Sequence, residues 1–317
     1  MEDRIIEKII EKTGVTDLLN ILSEKLTPSE WQSLLLAISA KRTHRIKPAQ
    51  LLKAYENNRF VQPLQGIPPK QLRHFQKECE AFLPSPFESI ILSPVAPLGS
   101  CSSLATVHQN KVLSASRGTE VVADATNALA LEASLRRKKD LQENPRSITP
   151  AHLATSHRHV RGQSFEDPAF TAHFQVQCLV SAGRDQGNLG FEKESLIAHI
   201  DYYIALLSQS TFGIPLDRLT VDLSFFSPRF SSLNEAISEP LLAKYPQLKI
   251  RLAPERESGR GYYDGVCFHI IAQLPSGESI PFCDGGFTTW TQQLLASQKE
   301  RLLISGFGSD IWLRLLG

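Results

Sequence analysis

The sequence lacks most of the short motifs that mark common enzymes. No GxGxxG follows a strand-like segment and no GxxxxGK[ST] occurs, so the two usual backbone cradles for phosphate are absent. HExxH and GxSxG are missing too, which excludes the common zinc-peptidase helix and the serine-hydrolase elbow. No run of about 18 apolar residues is present to span a bilayer. The acidic start, Met1-Glu2-Asp3-Arg4, has none of the basic-then-apolar character of a signal peptide, so a cytoplasmic protein is expected. The five cysteines contain no CxxC pair, and an odd, dispersed set fits buried free thiols in a reducing compartment. No sign of charge dominates: 34 basic and 33 acidic residues leave +1, so bulk charge gives no reason to bind nucleic acid or an anionic membrane.

What remains is an ordinary globular composition. Apolar residues make up 42% and charged ones 21%, enough for a sizeable core in a 317-residue chain. Residues 1–85 read as a helical module. Ile5, Ile6, Ile9 and Ile10 have helical spacing, and Thr27-Pro28-Ser29-Glu30 reads as a capping box. Further helices begin at Pro48 and Pro69. The module's ordinary role is packing, and partner binding is its other one. The Pro-rich stretch Leu83-Pro84-Ser85-Pro86 marks a boundary, and residues 86–317 then mix strands and helices. Strands are expected at 173–180, 219–226, 248–252, 262–274, 279–283 and 302–305, with helices at 126–135, 195–207, 233–245 and 289–297. Hairpin-joined strands interrupted by helices predict an α+β fold on an antiparallel sheet. The run Arg136-Arg137-Lys138-Lys139 reads as solvated charge at a helix C-terminus.

Four segments combine glycine with charge. In Arg117-Gly118-Thr119-Glu120, the guanidinium, Thr119 and the carboxylate could hold the charged ends of a small ligand. Asp124 and Thr126 read as caps of the next helix. In Ser181-Ala182-Gly183-Arg184-Asp185-Gln186-Gly187, read as a loop, Arg184 and Asp185 are candidate phosphate and cation ligands. Arg260, Tyr262 and Tyr263 enter a strand from a glycine-rich loop and could line a pocket. Gly285, Gly286 and Gly306 permit close approach of backbone to a ligand or a neighbouring strand. His152, His157 and His159 lie close together without a completing ligand set, so no metal site is expected.

The order of these segments resembles the catalytic core of histidyl-tRNA synthetase and its paralogue, the regulatory subunit of ATP phosphoribosyltransferase. Tyr262-Tyr263-Asp264-Gly265-Val266-Cys267-Phe268 matches a Tyr-Tyr-x-Gly-x-x-Phe segment. Asp284-Gly285-Gly286-Phe287 and Gly306-Phe307-Gly308 follow in the same order. Arg117 to Thr126 is similar to the Leu-Arg-Pro-Glu-x-Thr stretch that meets the amino-acid substrate. The resemblance covers roughly residue 86 to the end. It implies a class II synthetase-type sheet and a homodimer with its interface near residues 69–95. The departures matter as much. Cys178-Leu179-Val180-Ser181 stands where the family has Phe-Arg-x-Glu. Ser258 stands at the catalytic arginine, flanked by Arg256 and Arg260. Phe287 replaces the arginine of Gly-Gly-Arg, the closing-motif arginine is displaced to Arg314, and no anticodon domain is expected to follow. Loss of one charge-stabilising donor typically slows a reaction about 10²–10³-fold. The expectation is therefore a paralogue that binds an amino acid or nucleotide without ordinary tRNA charging, in a regulatory or accessory role. A first alternative is an adenylating enzyme using ATP with Mg²⁺ on a non-tRNA acceptor. A second is an adaptor that binds tRNA or protein through the N-terminal helices.

Overall fold

A computed structural model of the chain describes residues 2–105, 107–162, 171–211 and 213–316. Among the described residues eleven strands form two sheets: β1 Glu88–Ser89, β2 Val95–Pro97, β3 Ser114–Ala115, β4 Thr119–Val121, β5 Ala151–Val160, β6 His173–Arg184, β7 Leu219–Phe225, β8 Lys249–Leu252, β9 Val266–Gln273, β10 Ser279–Thr288 and β11 Glu300–Gly308. The large sheet has the order β1-β5-β6-β11-β10-β9-β7-β8, and β2, β4 and β3 form a small one. Its five inner pairings are antiparallel, while β1 on β5 and β8 on β7 close the two edges in parallel. The architecture is α+β on a mostly antiparallel sheet, as the strand pattern predicts.

Helices cover both faces. Leu179, Leu303 and Phe307 point to one face and pack beneath the helix Gly190–Gln209. Cys178, Val180, Ala182 and Ile304 point to the other, beneath the helix Ala125–Glu143. That second helix presents Leu129, Ala130 and Ala133, all fully buried, and small residues here let its backbone sit close to the sheet. Asp124 starts it by accepting the Thr126 N–H at 2.9 Å.

Three local readings change. Strand β6 runs through Ser181-Ala182-Gly183-Arg184, which is not a loop. Its small residues are a packing requirement, because a Cβ at Gly183 would overlap the Phe191 ring. Strand β11 likewise continues through Gly306-Phe307-Gly308. The basic run is not all solvated surface. The helix continues to Glu143, and Arg137 is buried, donating from Nε and Nη2 to both oxygens of buried Glu300 at 3.0 and 3.1 Å. Its remaining donors reach Asp140 Oδ2, Thr149 O and Ser147 O, so every N–H it brings inside has an acceptor.

The N-terminal helices form as the sequence predicts. Thr27 and Glu30 make a reciprocal capping box, with bonds of 3.3 and 2.8 Å. Among the described residues none from 4 to 66 is buried. The helix Pro69–Ala81 differs from these. It sinks Phe75 and Cys79 into the main core, with Phe75 5.9 Å from Phe307 and Tyr202 donating to Cys79 O. No described helix is long and apolar enough to cross a membrane.

Candidate functional site

A cavity of about 540 Å³ opens at the end of the large sheet where β11 finishes. Its apolar wall includes Val107, Phe174, Val176, Phe282, Tyr262 and Tyr263, and its polar groups include Asp124, His159, Arg161, Asp284, Asp310 and Arg314. Strands β5, β6, β10 and β11, the loop before β9, the N-terminus of helix Ala125–Glu143 and the helix Ser309–Leu316 all contribute to the lining, with Val107 and Arg161 from connecting segments.

His159 is the most unusual group. The Ala125 N–H donates to its Nε2 at 2.9 Å, so that nitrogen carries the lone pair and the ring proton sits on Nδ1. Nδ1 is buried and has no partner among the described residues. Burial holds the imidazole pKa down at about 3, against the pull of Asp124. The result is a neutral ring with a spare N–H donor. Arg161 stands beside it, donating from Nε to Ala123 O at 3.0 Å, with Nη2 3.9 Å from Asp124 Oδ2. Asp310 accepts the Gln175 N–H and an Arg158 N–H through Oδ2, while its buried Oδ1 has no described partner. Burial raises its pKa above the usual carboxylate range. Asp284 accepts from Arg256 Nη2 at 2.8 Å, and His269 lies 3.4 Å away. Buried polar atoms are normally satisfied, so a spare donor on His159 and a spare acceptor on Asp310 in one cavity suit a polar ligand.

The aromatic wall depends on the glycines. Tyr262 meets Tyr263 edge to face at 4.8 Å and Trp290 at 5.8 Å. A Cβ at Gly286 would come within 2.5 Å of the Tyr263 ring, and one at Gly285 within 2.6 Å of Phe268. Gly285 and Gly286 therefore make room for rings rather than for a ligand. Burial pushes both tyrosine hydroxyls up, so they stay protonated.

Of the candidate ligand-binding residues read from the sequence, Tyr262, Tyr263 and Gly306 line this cavity. Arg117, Thr119, Glu120, Arg184, Asp185, Arg260, Gly285 and Gly286 do not. Glu120 accepts the Gly99 and Cys101 N–H groups, both at 2.8 Å, and so ties down the short helix that carries Cys101 to the wall. Thr119 lies in the same strand, and Arg117 is exposed in the turn before it. Arg260 is exposed, 5.1 Å over the Phe226 ring and ion-paired with Glu257. Arg184 and Asp185 sit at the far end of the sheet, where Arg184 donates to Pro145 O and Asp185 accepts from Arg301. Arg184 pairs in register with Glu300 and the Asp185 N–H donates to Lys299 O, whereas the cavity's β6 residues, Val176 and Cys178, pair with Gly308 and Gly306. His159, Arg161, Asp284 and Asp310 are not read as ligand groups from the sequence. Asp284 appears only as part of the Gly285-Gly286 motif, and the His152–His159 cluster points toward a metal question.

No protein-family model matches the chain, and no curated protein sequence matches it. Solved structures do. Apo histidyl-tRNA synthetase from S. aureus superposes with a TM-score of 0.57 at 15% identity, over 81% of this chain and 70% of that one. An ATP phosphoribosyltransferase regulatory subunit/histidyl-tRNA synthetase from Bacillus halodurans gives 0.58 at 12%, over 81% and 84%. A histidine–tRNA ligase subunit from Alicyclobacillus acidocaldarius gives 0.56 at 10%, over 81% and 97%. The fold is that of a class II aminoacyl-tRNA synthetase core. In this class II-type fold the cavity lies where β11 passes into the helix Ser309–Leu316, the junction that the Gly306-Phe307-Gly308 resemblance points to.

Proposed function

We propose that this class II-type chain binds a small amino-acid-like ligand in the cavity and serves a regulatory or accessory role, without ordinary tRNA charging. The charge of the lining carries this reading. Lys111, Arg161 and Arg314 face Asp124, Asp284 and Asp310, a balance of three cations and three carboxylates that suits a zwitterion. The same balance does not fit ATP with Mg²⁺, whose several negative charges call for concentrated positive charge. Arg184 and Arg260, two of the three arginines nearest in sequence to phosphate-binding positions, are engaged outside the cavity. A solved neighbour described as an ATP phosphoribosyltransferase regulatory subunit/histidyl-tRNA synthetase keeps a regulatory role within this fold's range.

One observation favours the adenylating alternative. Arg256 lies beside the cavity with its side chain only 6% exposed, and its Nη1 is buried without a described partner. It would be the first candidate for a phosphate contact.

Calorimetric titration of the full chain with the common amino acids, ATP and AMP tests the proposal. An amino acid is expected to bind and the nucleotides are not. Asp310→Asn should weaken that binding about tenfold or more, the scale of a hydrogen bond to a charged group. Amino-acid-dependent pyrophosphate–ATP exchange is expected to be absent. Exchange abolished by Arg256→Met would establish the adenylating alternative instead, and no binding by any amino acid would sink the main reading.

A further inference from the structure

A second, smaller cavity of about 220 Å³ lies at the opposite end of β10 and β11, and none of the function above uses it. Glu192, Thr288, Arg301, Asp264 and Arg229 are among its lining residues. Its floor holds two unsatisfied polar atoms. Glu192 is in the first turn of helix Gly190–Gln209, with its side chain 2% exposed. Its Oε1 accepts from Arg301 Nε at 3.0 Å, while Oε2 is buried with no partner among the described residues. Thr288, at the end of β10 and 3% exposed, has an equally orphaned hydroxyl. Arg301 does not bond Glu192 Oε2; its other nitrogens donate to Asp185 Oδ2, Gln298 O and Glu300 O.

The mouth is built as well. The Asp264 N–H donates to Phe287 O at 2.7 Å, which fixes Asp264 at the rim. Its carboxylate makes no hydrogen bond or ion pair among the described residues. Phe230 forms a wall because Gly265, at φ +79°, has no Cβ to collide with its ring. Arg229 lies over that ring at 5.5 Å and makes no described ion pair.

We propose that this cavity is a second ligand site, which takes the ammonium group of a small molecule. A carboxylate oxygen with free lone pairs and a hydroxyl beside it are what an N–H-rich cation needs on burial. Asp264 at the rim adds charge of the same sign as Glu192. Ammonium groups reach such a site from two sources, simple amines and free amino acids. They differ at the mouth, where only an amino acid carries a carboxylate for Arg229 to pair with. Asp284 of the first cavity and Thr288 of the second lie four positions apart on β10, roughly 13 Å at ~3.3 Å per residue, so the two sites are separable by mutation.

Ligand-observed NMR and calorimetry on the full chain, with ethanolamine, putrescine and the common amino acids as probes, test this. Thr288→Val is the informative variant. It deletes a hydroxyl that nothing in the fold uses, so stability should hold, and affinity for the bound amine should drop about tenfold. Glu192→Gln, which keeps an acceptor toward Arg301, should drop it further. Asp310→Asn should leave the affinity for ethanolamine and putrescine unchanged, which separates this site from the first cavity. Arg229→Ala weakening amino acids but not amines identifies an amino acid as the ligand, and equal binding of both identifies the amine. The proposal is overturned if no probe binds at millimolar concentration, or if binding survives Thr288→Val and Glu192→Gln.

Discussion

Strand β11 begins and ends in opposite electrostatic settings. At its start, Glu300 is held by both arms of Arg137, and Arg301 by Glu192 and Asp185. At its end, Gly306 and Gly308 border a cavity in which His159 and Asp310 keep atoms with no partner. The same sheet thus carries charge used for cohesion and charge left available. Matched buried charge holds a structure together only while both partners remain, whereas unmatched polar atoms are a standing penalty that a ligand can relieve.

The sharpest way to test the cohesive end is to break one pair. Arg137→Met should destabilise the chain by about 3–5 kcal/mol in urea denaturation, since Glu300 is left buried and alone. Adding Glu300→Leu should recover much of the loss. If the double variant is no better than the single one, charge pairing is not what holds this end. Phe75→Ala, which removes a ring packed on Phe307 of the same strand, should cost about 3–5 kcal/mol. Leu52→Ala, in an exposed N-terminal helix, should stay within about 0.5 kcal/mol.

The available end predicts a pH dependence. In the folded chain His159 stays neutral down to about pH 3. In the unfolded chain a histidine takes up its proton near the ordinary value of about 6.5. Between those values the unfolded state binds more protons, so stability falls as pH falls, by up to about 1.4 kcal/mol per pH unit for this group. His199, fully buried between Ser181 and Ser305, is also held well below its ordinary value and adds in the same direction. Denaturation of wild type and His159→Gln at pH 7, 6 and 5 should show the variant losing stability less steeply. The smallest effect is expected at Arg184 and Arg260. Alanine at either should change stability by no more than about 0.5 kcal/mol and leave amino-acid binding in the large cavity untouched.

The elements were legible where the chain repeats a simple period. Thr27 and Glu30 declared a helix start that formed as a reciprocal cap. The hairpin of β9 and β10 followed from apolar runs on either side of Pro275-Ser276-Gly277. Strand β6 was cut short because Ser181-Ala182-Gly183 looks like a turn in one dimension. Its glycine is explained only by Phe191, which packs against it from the next helix. Arg137 was hidden for a related reason: it sits in a basic run, and its partner is 163 positions away. The site divided along the same line. Tyr262, Tyr263 and Gly306 were visible because they share a short motif with a known family. His159, Asp284 and Asp310 come from three strands or strand ends and meet only when β5, β10 and β11 are placed. Glycine next to charge was a misleading signal, since Arg184, Arg260 and Glu120 have structural partners of their own.

The buried cysteines have a practical use. Cys79, Cys101, Cys178, Cys267 and Cys283 all lie inside, and burial pushes every thiol up, Cys101 and Cys267 to about 12. Thiolate, the reactive form, is therefore scarce in the native chain at neutral pH. A single Ser258→Cys, in the exposed loop that Arg256 ties to Asp284, would then be the preferred target of a maleimide dye. Such a label would sit close enough to the large cavity for its emission to report occupancy directly, in a background that needs no cysteine removed.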